Sequence, residues 1–437
     1  MNKKTFYIHF LGCKVNSYEV EAIAFDLQKR GYIEVKEDDN PDVVIINTCA
    51  VTETSSNKSK KTIKHFKNKY PNCVLCVMGC YSQYSYKFLS EDLGVDIVIG
   101  TSNRDKIGEY IDSFLVNRNK IVTHNNFLDI KKYENITLNR YFDQTRAYVK
   151  IQDGCDNYCT YCLIPYVRGR SRSREKDEIL SEISALIKNN YKEIILTGID
   201  QGSYGEDFTP KSSFSDLLEA ILVNNKDLYR IRISSIETSQ IDDKFLKLLS
   251  KYSNIANHLH IPLQSGSKHV LKLMNRKYDL DYFKEVIRKI REIRPDISIT
   301  TDVIVGFPQE SEEDFVETYN FIKEINFSKV HVFPYSDRNG TVASKMDGKI
   351  PQEVKKERVK RLISLSNELE LDYEKKFYNE EVEFLVESYD EKLKGYKAHS
   401  SNYLECLIKS EDNLNDKIVK IKFNKENSVK ILTMSKK

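Results

Sequence analysis

Three cysteines stand close together near the middle of this chain of 437 residues. Cys155, Cys159 and Cys162 follow the spacing Cys-x3-Cys-x2-Cys, with Asp156 and Asn157 between the first two. Thiols this close do not pair easily as disulfides, and soft sulfur ligands suit an iron-sulfur cluster or zinc. A closed zinc site needs a fourth ligand, which would have to come from a distant part of the chain. The stretch therefore predicts an iron-sulfur cluster, which can leave one iron open for a small molecule.

Three more cysteines follow separate β-rich runs in the first part of the chain. The runs predict buried parallel strands of a small α/β domain, and they cover residues 5–10, 42–47, 74–78 and 96–99. Cys13, Cys49 and Cys80 lie in the turns after the first three runs. Ligands bind at the carboxyl ends of strands in open α/β sheets, so we expect these thiols to converge on a second metal site. Cys73 and Cys76 are interpreted as packing residues, and a zinc site built from them with Cys80 is the competing hypothesis.

A second, longer region alternates strand and helix patterns. The predicted strands are residues 147–151, 193–197, 229–234, 258–261, 298–305 and 329–334, and the predicted helices are 176–189, 214–223, 242–250, 280–293 and 312–325. Six such β/α units predict an open parallel barrel whose chemistry lies in the loops at the carboxyl ends of its strands. The Cys-x3-Cys-x2-Cys loop lies at one of those ends.

Several residues at the other strand ends are candidate cofactor contacts. Gly198 and Asp200 follow the second strand, Ser234 and Glu237 lie near the third, and Gly306 follows the fifth. A glycine allows the backbone to approach a ligand closely. A tight turn between strand and helix explains the same residues equally well, so spacing alone leaves both interpretations open.

Four arginines alternate with small residues directly after the cysteine loop, and they are Arg168, Arg170, Arg172 and Arg174. A solvated charge run is the commonest explanation of such a pattern. Because this one borders the predicted reactive centre and guanidinium groups suit phosphates, we predict contact with an anionic substrate or a cofactor carboxylate.

Composition limits the functional classes. The chain has 68 Lys and Arg against 65 Asp and Glu, a formal net charge of +3, so contact with nucleic acid must rely on local patches. No apolar run approaches the roughly 18 residues of a membrane span. With no secretory signal pattern and an odd count of nine cysteines, we expect reduced thiols, no membrane association and a cytoplasmic location.

The boundaries between the predicted α/β domain, the predicted barrel and the rest of the chain define the expected domain organisation. Residues 121–140 are polar and predict a linker or covering segment, and a long helix opens at Pro351 with apolar residues on one face. Short strand patterns at 382–387, 404–408, 418–423 and 428–432 predict a small β-barrel. The expected domains are 1–120, 141–350, a connecting helix at 351–378, and 379–437.

These features together resemble a methylthiotransferase of the radical S-adenosylmethionine superfamily, over nearly the whole chain. The family's His-x-Pro-Leu-Gln-Ser-Gly element matches residues 260–266, and its Val-Gly-Phe-Pro element matches 305–308. The resemblance implies an amino-terminal methylthiotransferase domain, a radical core shaped as an open (β/α)6 partial TIM barrel, and a carboxy-terminal TRAM β-barrel. It further implies S-adenosylmethionine as cofactor, with Gln264 among its contacts, and two 4Fe-4S clusters. The Cys-x3-Cys-x2-Cys set would hold the radical cluster, and Cys13, Cys49 and Cys80 the auxiliary one.

Residues 11–19, Leu-Gly-Cys-Lys-Val-Asn-Ser-Tyr-Glu, resemble the branch of the family that acts on threonylcarbamoyladenosine at position 37 of tRNA, in the anticodon loop. The implied reaction cleaves S-adenosylmethionine with one electron, removes hydrogen from C2 of the adenine, inserts sulfur from the auxiliary side and adds a methyl group from a second S-adenosylmethionine. The implied partners are tRNA, contacted by the alternating arginines, and an electron donor such as flavodoxin or ferredoxin.

Three other hypotheses remain open at this point. The isopentenyladenosine branch typically has Gln-Met-Asn after the first cysteine, and the branch that modifies a ribosomal-protein aspartate has Pro-Lys-Asn. An iron-sulfur RNA-binding or electron-transfer protein is the non-enzyme alternative. An electron carrier usually has four thiolates on each cluster, so two sets of three cysteines disfavour it.

Overall fold

The computed structural model describes residues 4–134, 136, 138 and 145–434. Its first unit is a six-stranded parallel sheet in the order β2-β1-β3-β4-β5-β6. Separate apolar clusters cover the two faces of this sheet, which is why the central strands are apolar without alternation. The elements are β1 Thr5–Phe10, α1 Lys14–Lys29, β2 Ile33–Glu34, β3 Val43–Thr48, α2 Glu53–Lys69, β4 Val74–Gly79, α3 Cys80–Tyr84, β5 Ile97–Ile99, α4 Ile107–Asn117 and β6 Ile121–Thr123.

The four strands predicted for this unit are confirmed, and two short edge strands are added. β6 pairs with β5 in parallel, so the sheet extends into the segment predicted as a linker from residue 121. The remainder of that predicted linker includes residues 135, 137 and 139–140, which lie outside the described part of the chain.

The second unit is the open parallel barrel. Its elements are β7 Arg146–Lys150, β8 Gln152–Asp153, α5 Ile164–Arg168, β9 Arg172–Ser173, α6 Lys176–Lys188, β10 Glu193–Thr197, α7 Phe214–Asn224, β11 Arg230–Ile233, α8 Asp243–Lys251, β12 His258–His260, α9 Lys268–Leu273, α10 Leu280–Ile293, β13 Ser298–Val305, α11 Glu312–Ile325 and β14 Lys329–Pro334. Strands β7, β10 and β11 form one parallel sheet, and β12, β13 and β14 form another. A parallel bridge between Ser235 and His260 joins the two halves. All six strands and five helices predicted for the barrel are confirmed.

The last unit follows the long helix α12 Gln352–Lys375, which packs on β14 and on the barrel core through Leu362, Leu365 and Leu369. A four-stranded antiparallel sheet in the order β17-β16-β15-β18 comes next. Its elements are β15 Glu381–Asp390, β16 Gly395–Ser400, β17 Glu405–Ile408, β18 Ile418–Lys422 and a final helix α13 Val429–Met434.

One strand of this last unit was placed wrongly by the sequence pattern, and one was missed. Residues 429–432 are helical, and Ser428 directly precedes α13, where its hydroxyl accepts a hydrogen bond from the amide of Ile431 at 3.3 Å. The missed strand is β16, whose Tyr-Lys-Ala-His sequence lacks a clean apolar alternation.

The carboxy-terminal sheet docks at the amino-terminal ends of the barrel strands. His399 reaches Glu193, the first residue of β10, at 3.2 Å, and Arg232 lies 3.7 Å above the ring of Tyr403. These contacts close the end of the barrel opposite to the cysteine loop. In the residues described, no helix has the length and apolarity needed to cross a membrane.

Candidate functional site

The loop that carries Cys155, Cys159 and Cys162, here named the loop triad, is held by backbone hydrogen bonds at two places. The amide of Cys155 donates to the carbonyl of Gly169 at 3.1 Å, and the amide of Thr160 donates to a carbonyl at the end of α9 at 3.1 Å. Gly154 has φ +75°, and a Cβ there would lie 2.0 Å from the carbonyl oxygen of Arg170. Only glycine fits this turn, which sets the direction in which the chain enters the loop.

Donors and an acceptor surround the loop-triad thiols. The amide of Asn157 points at Cys155 Sγ at 3.4 Å, and Arg276 Nη1 donates to Cys159 Sγ at 3.3 Å. Burial raises the pKa of the Cys162 thiol to about 12. N–H donors aimed at sulfur are the contacts that stabilise cluster-bound thiolates, so the residues present fit an iron-sulfur cluster.

Asp200 is the polar centre beside this loop. Its carboxylate accepts hydrogen bonds from Asn157 Nδ2 at 3.0 Å and Gln240 Nε2 at 2.6 Å, and Cys155 Sγ lies 3.6 Å away. Glu237 pairs with Arg276 at 2.9 Å. Burial raises the pKa of both carboxyl groups. Two predicted cofactor-binding residues therefore lie at the same strand ends as the loop triad.

Buried polar atoms at this edge lack a hydrogen-bond partner within the described residues. They are Ser234 Oγ, Gln201 Oε1 and Thr238 Oγ1. An unsatisfied buried polar atom is costly, so these groups fit a polar ligand such as S-adenosylmethionine. Ser234 was a sequence candidate, whereas Gln201, Thr238, Gln240 and Arg276 had no sequence signal because none of them belongs to a recognisable motif.

The positions of the remaining cofactor candidates are explained by contacts with other residues of the chain. The amide of Gly306 donates to the carboxylate of Glu310 at 3.0 Å, and a Cβ at Gly306 would lie 2.4 Å from Lys355 Cγ. A Cβ at Gly198 would lie 3.1 Å from Gln152 Oε1. Gln264 is bound through its backbone amide to β13. For these residues the structure supports a tight turn, and cofactor contact stays a prediction.

Cys13, Cys49 and Cys80, here named the sheet-edge triad, follow β1, β3 and β4, which are neighbours in the first sheet. A Cβ at Gly12 would lie 3.2 Å from Cys49 Sγ, so the first and second turns are in contact. Burial raises the pKa of the Cys80 thiol to about 12, and the neighbouring Cys49 and Cys13 act in the same direction. The tertiary structure thus brings together three thiols from distant parts of the sequence.

Cys73 and Cys76 pack in the two apolar clusters on opposite faces of the first sheet. Cys76 is fully buried on the face of the sheet that α1 and α4 cover. Cys73 packs with the apolar cluster on the other face. The competing zinc site of Cys73, Cys76 and Cys80 is therefore wrong, because Cys76 points away from the other two.

Three of the four alternating arginines are buried and paired within the chain. Arg168 is 1%, Arg172 3% and Arg174 0% exposed. Arg168 and Arg172 lie 3.0 and 3.7 Å from Asp153, and Arg174 lies 2.6 Å from Glu182. The prediction that these three contact tRNA phosphates is therefore wrong. Carboxylates of the chain itself already occupy the positions that phosphates would take.

Arg170 is the exception, with 68% of its side chain exposed and an exposed ion pair to Asp156 at 3.1 Å. It lies next to the loop triad and stays the candidate for a phosphate contact.

The inner wall of the barrel carries a polar group that the sequence analysis missed. Leu259, Val303 and Val330 belong to the apolar core between strands and helices, so the alternate residues on β12, β13 and β14 face inward. Among these are His260, Asp302 and His331, whose nitrogen and oxygen atoms lie within 4.8 Å of one another. Alternation on adjacent strands was the signal that could have found them.

Comparisons with known proteins agree with this geometry. Residues 149–322 match the model of the Radical SAM superfamily, and residues 5–100 match "Uncharacterized protein family UPF0004". Among solved structures, the radical S-adenosylmethionine methyltransferase TsrM from Kitasatospora setae aligns with a TM-score of 0.58 at 13% identity, covering 76% of this chain and 75% of that one. The fold and the cysteine loop define a radical S-adenosylmethionine enzyme.

Similarity to named relatives indicates which family of radical S-adenosylmethionine enzymes the chain belongs to. The chain is 43% identical to "Threonylcarbamoyladenosine tRNA methylthiotransferase MtaB" of Bacillus subtilis (strain 168), covering 96% of this chain and 94% of the relative. It is 40% identical to the protein of the same description from Thermotoga maritima, covering 93% and 91%. It is also 37% identical to "tRNA-2-methylthio-N(6)-dimethylallyladenosine synthase" of Clostridium botulinum (strain Loch Maree / Type A3), covering 97% and 95%. The chain belongs to the radical S-adenosylmethionine methylthiotransferase family.

Proposed function

We propose that this chain is a tRNA modification enzyme that adds a methylthio group to C2 of N6-threonylcarbamoyladenosine at position 37 of tRNA. The observation that carries the proposal is the position of the loop triad and the sheet-edge triad, each at the carboxyl edge of its own parallel sheet. One residue, Arg168, spans the two edges, since it contacts both Cys80 and Asp153. The names of the relatives from Bacillus subtilis and Thermotoga maritima support the threonylcarbamoyl branch.

The loop triad would hold a 4Fe-4S cluster, and Asp200, Ser234 and Glu237 would contact S-adenosylmethionine. A reduced 4Fe-4S cluster with S-adenosylmethionine bound to it would supply a deoxyadenosyl radical, which can remove hydrogen from an unactivated carbon. The sheet-edge triad would hold a second 4Fe-4S cluster on the side where sulfur is inserted. A one-electron donor such as flavodoxin or ferredoxin would supply the electron.

The protein groups would bind and position the base. Adenine C2 must leave the base stack to enter the site, and unstacking costs less in a single-stranded anticodon loop than in a duplex. The inward-facing His260, Asp302 and His331 offer hydrogen-bonding groups to a polar base inside the barrel. Arg170 would contact a backbone phosphate outside it. Closure of the opposite end by the carboxy-terminal sheet would help to keep water from the reacting atoms.

The test is mass spectrometry of tRNA nucleosides from a strain that lacks this protein, with and without the restored gene. We expect methylthiolated threonylcarbamoyladenosine to disappear, unmodified threonylcarbamoyladenosine to accumulate, and the wild-type gene alone to reverse both changes. A gene with Ala at all loop-triad positions is the matched negative control.

A second candidate substrate is the dimethylallyl (isopentenyl) adenosine of tRNA, because the Clostridium botulinum relative bears that name. Loss of methylthiolated dimethylallyladenosine in the same experiment, with the threonylcarbamoyl nucleoside unchanged, would replace the first proposal with this one. Loss of a methylthio group from ribosomal-protein aspartate instead would contradict both.

A further inference from the structure

Arg168 is a buried arginine that has no part in the proposed reaction steps. It is 1% exposed, and its Nε donates to Cys80 Sγ at 3.2 Å. Its terminal nitrogens donate to Glu19 at 2.9 Å, Asp153 at 3.0 Å and Asn16 Oδ1 at 3.0 Å. Since every nitrogen of the guanidinium has a partner, its plane and its approach to the sulfur are fixed.

Arg168 belongs to a buried charge network that joins the first sheet to the barrel. Its cations are Arg104, Lys150, Arg168 and Arg172, and its carboxylates are Glu19, Glu134 and Asp153. Within the described residues this network has four positive charges and three negative ones. A buried charge without compensation is costly, so one more anion would stabilise the network. The sulfur beside Arg168 can supply it once Cys80 is a metal-bound thiolate.

A similar arrangement occurs at the loop triad. Arg276 has a side chain that is 4% exposed, donates to Cys159 Sγ at 3.3 Å and pairs with Glu237 at 2.9 Å. Each cysteine triad therefore has one buried guanidinium that is hydrogen-bonded to one thiol and fixed by a carboxylate. The repetition of this contact at two unrelated loops indicates a role directed at the sulfur.

We propose that Arg168 is a positioning residue that sets the reduction potential of the cluster on the sheet-edge triad. The inference rests on the proposed function, because it assumes a 4Fe-4S cluster on Cys13, Cys49 and Cys80. One-electron reduction adds a negative charge to such a cluster. The Nε–H···S hydrogen bond and the guanidinium charge stabilise the reduced form and raise its potential, as hydrogen bonds to cluster sulfurs do. Asp153, in the same network, lies two residues before Cys155, so the contact also fixes one triad relative to the other.

The experiment uses the full chain with Cys155, Cys159 and Cys162 changed to Ala, so that only the sheet-edge cluster reports. After anaerobic reconstitution with iron and sulfide, the cluster is titrated with dithionite and followed by electron paramagnetic resonance. Arg168→Gln is compared with Arg104→Gln as the matched control. Arg104 is equally buried and bonds the same Glu19 and Asp153, but its hydrogen bonds in the described chain reach carboxylates alone.

We expect Arg168→Gln to shift the midpoint potential to a more negative value, Arg168→Lys to give an intermediate value, and Arg104→Gln to stay close to the parent. An unshifted potential in Arg168→Gln, or an equal shift in Arg104→Gln, overturns the inference. If Arg168→Gln does not fold or hold iron, Arg168→Lys decides: a negative shift supports the hydrogen bond to sulfur, and the parent potential overturns it. A parent protein that binds no iron refutes instead the proposed auxiliary site.

Discussion

The two cysteine triads of this protein are built in opposite ways. The loop triad occupies one short loop after β8, whose course is fixed by Gly154 and by two backbone hydrogen bonds. The sheet-edge triad takes one thiol from each of three turns, and only the order β1-β3-β4 within the sheet brings them together. The first triad is therefore a local feature of the sequence, whereas the second depends on the tertiary structure of a whole domain.

This difference has a consequence for how each triad is stabilised. The thiols of the loop triad accept hydrogen bonds from the amide of Asn157 within the loop and from the side chain of Arg276 in the barrel. Cys80 of the sheet-edge triad receives its donor from Arg168, which lies in the other unit of the chain. A metal site on the sheet-edge triad would thus require the first unit and the barrel to be docked together.

The largest effect is expected when the loop triad is removed. Changing Cys155, Cys159 and Cys162 to Ala should abolish cleavage of S-adenosylmethionine and lower the iron content from about eight to about four atoms per chain. Both quantities can be measured on anaerobically prepared protein, by product chromatography and by an iron assay. Substantial cleavage by this variant would refute the assignment of the reactive centre.

Removal of the sheet-edge triad should have a narrower effect. With Cys13, Cys49 and Cys80 changed to Ala, we expect a loss of about four irons, continued uncoupled cleavage of S-adenosylmethionine, and no methylthiolated adenosine in the tRNA. The separation of cleavage from product formation is the informative result. If product were still formed, sulfur insertion would not depend on this triad.

A smaller effect is expected for Arg170, the exposed arginine of the alternating series. Arg170→Ala should weaken tRNA binding several-fold and flatten the salt dependence of the affinity by about one unit for one lost phosphate contact. Titrations at several salt concentrations measure this slope. Arg288→Ala, which removes an exposed arginine from α10, is the control and should leave the slope unchanged. Equal slopes for both variants would make Arg170 an ordinary solvated side chain.

The smallest effect concerns Cys73 and Cys76, the cysteines outside both triads in the first unit. Changing each to Ala should leave iron content and product unchanged and lower the free energy of unfolding by about 1 kcal/mol, with the larger cost at the fully buried Cys76. Chemical denaturation of the single variants measures this cost. Loss of iron from the Cys73/Cys76 double variant would show that the sheet-edge site uses different thiols.

The sequence by itself determined most of the helices and strands and the loop triad. The main strands of the three parallel sheets were predictable because apolar runs of strand length, bounded by turn residues, need no knowledge of the partner strand. The helix that begins at Val429 was mistaken for a strand because a short apolar run fits both structures, and the hydrogen bond accepted by the Ser428 hydroxyl just before it favours the helix. The loop triad was recognisable because its three cysteines lie within one short segment of the sequence.

The tertiary structure alone decided which polar residues are buried. In the sequence, Arg168, Arg172 and Arg174 have the same pattern as the exposed Arg170. In the fold, Glu19 and Asp153 lie beside Arg168, and Glu182 lies beside Arg174. A guanidinium can be buried only where carboxylates and carbonyls compensate its charge, and the fold places those partners beside it, including Glu19 from the first unit of the chain. Charge is a property of each side chain, whereas its compensation exists only after the chain has folded.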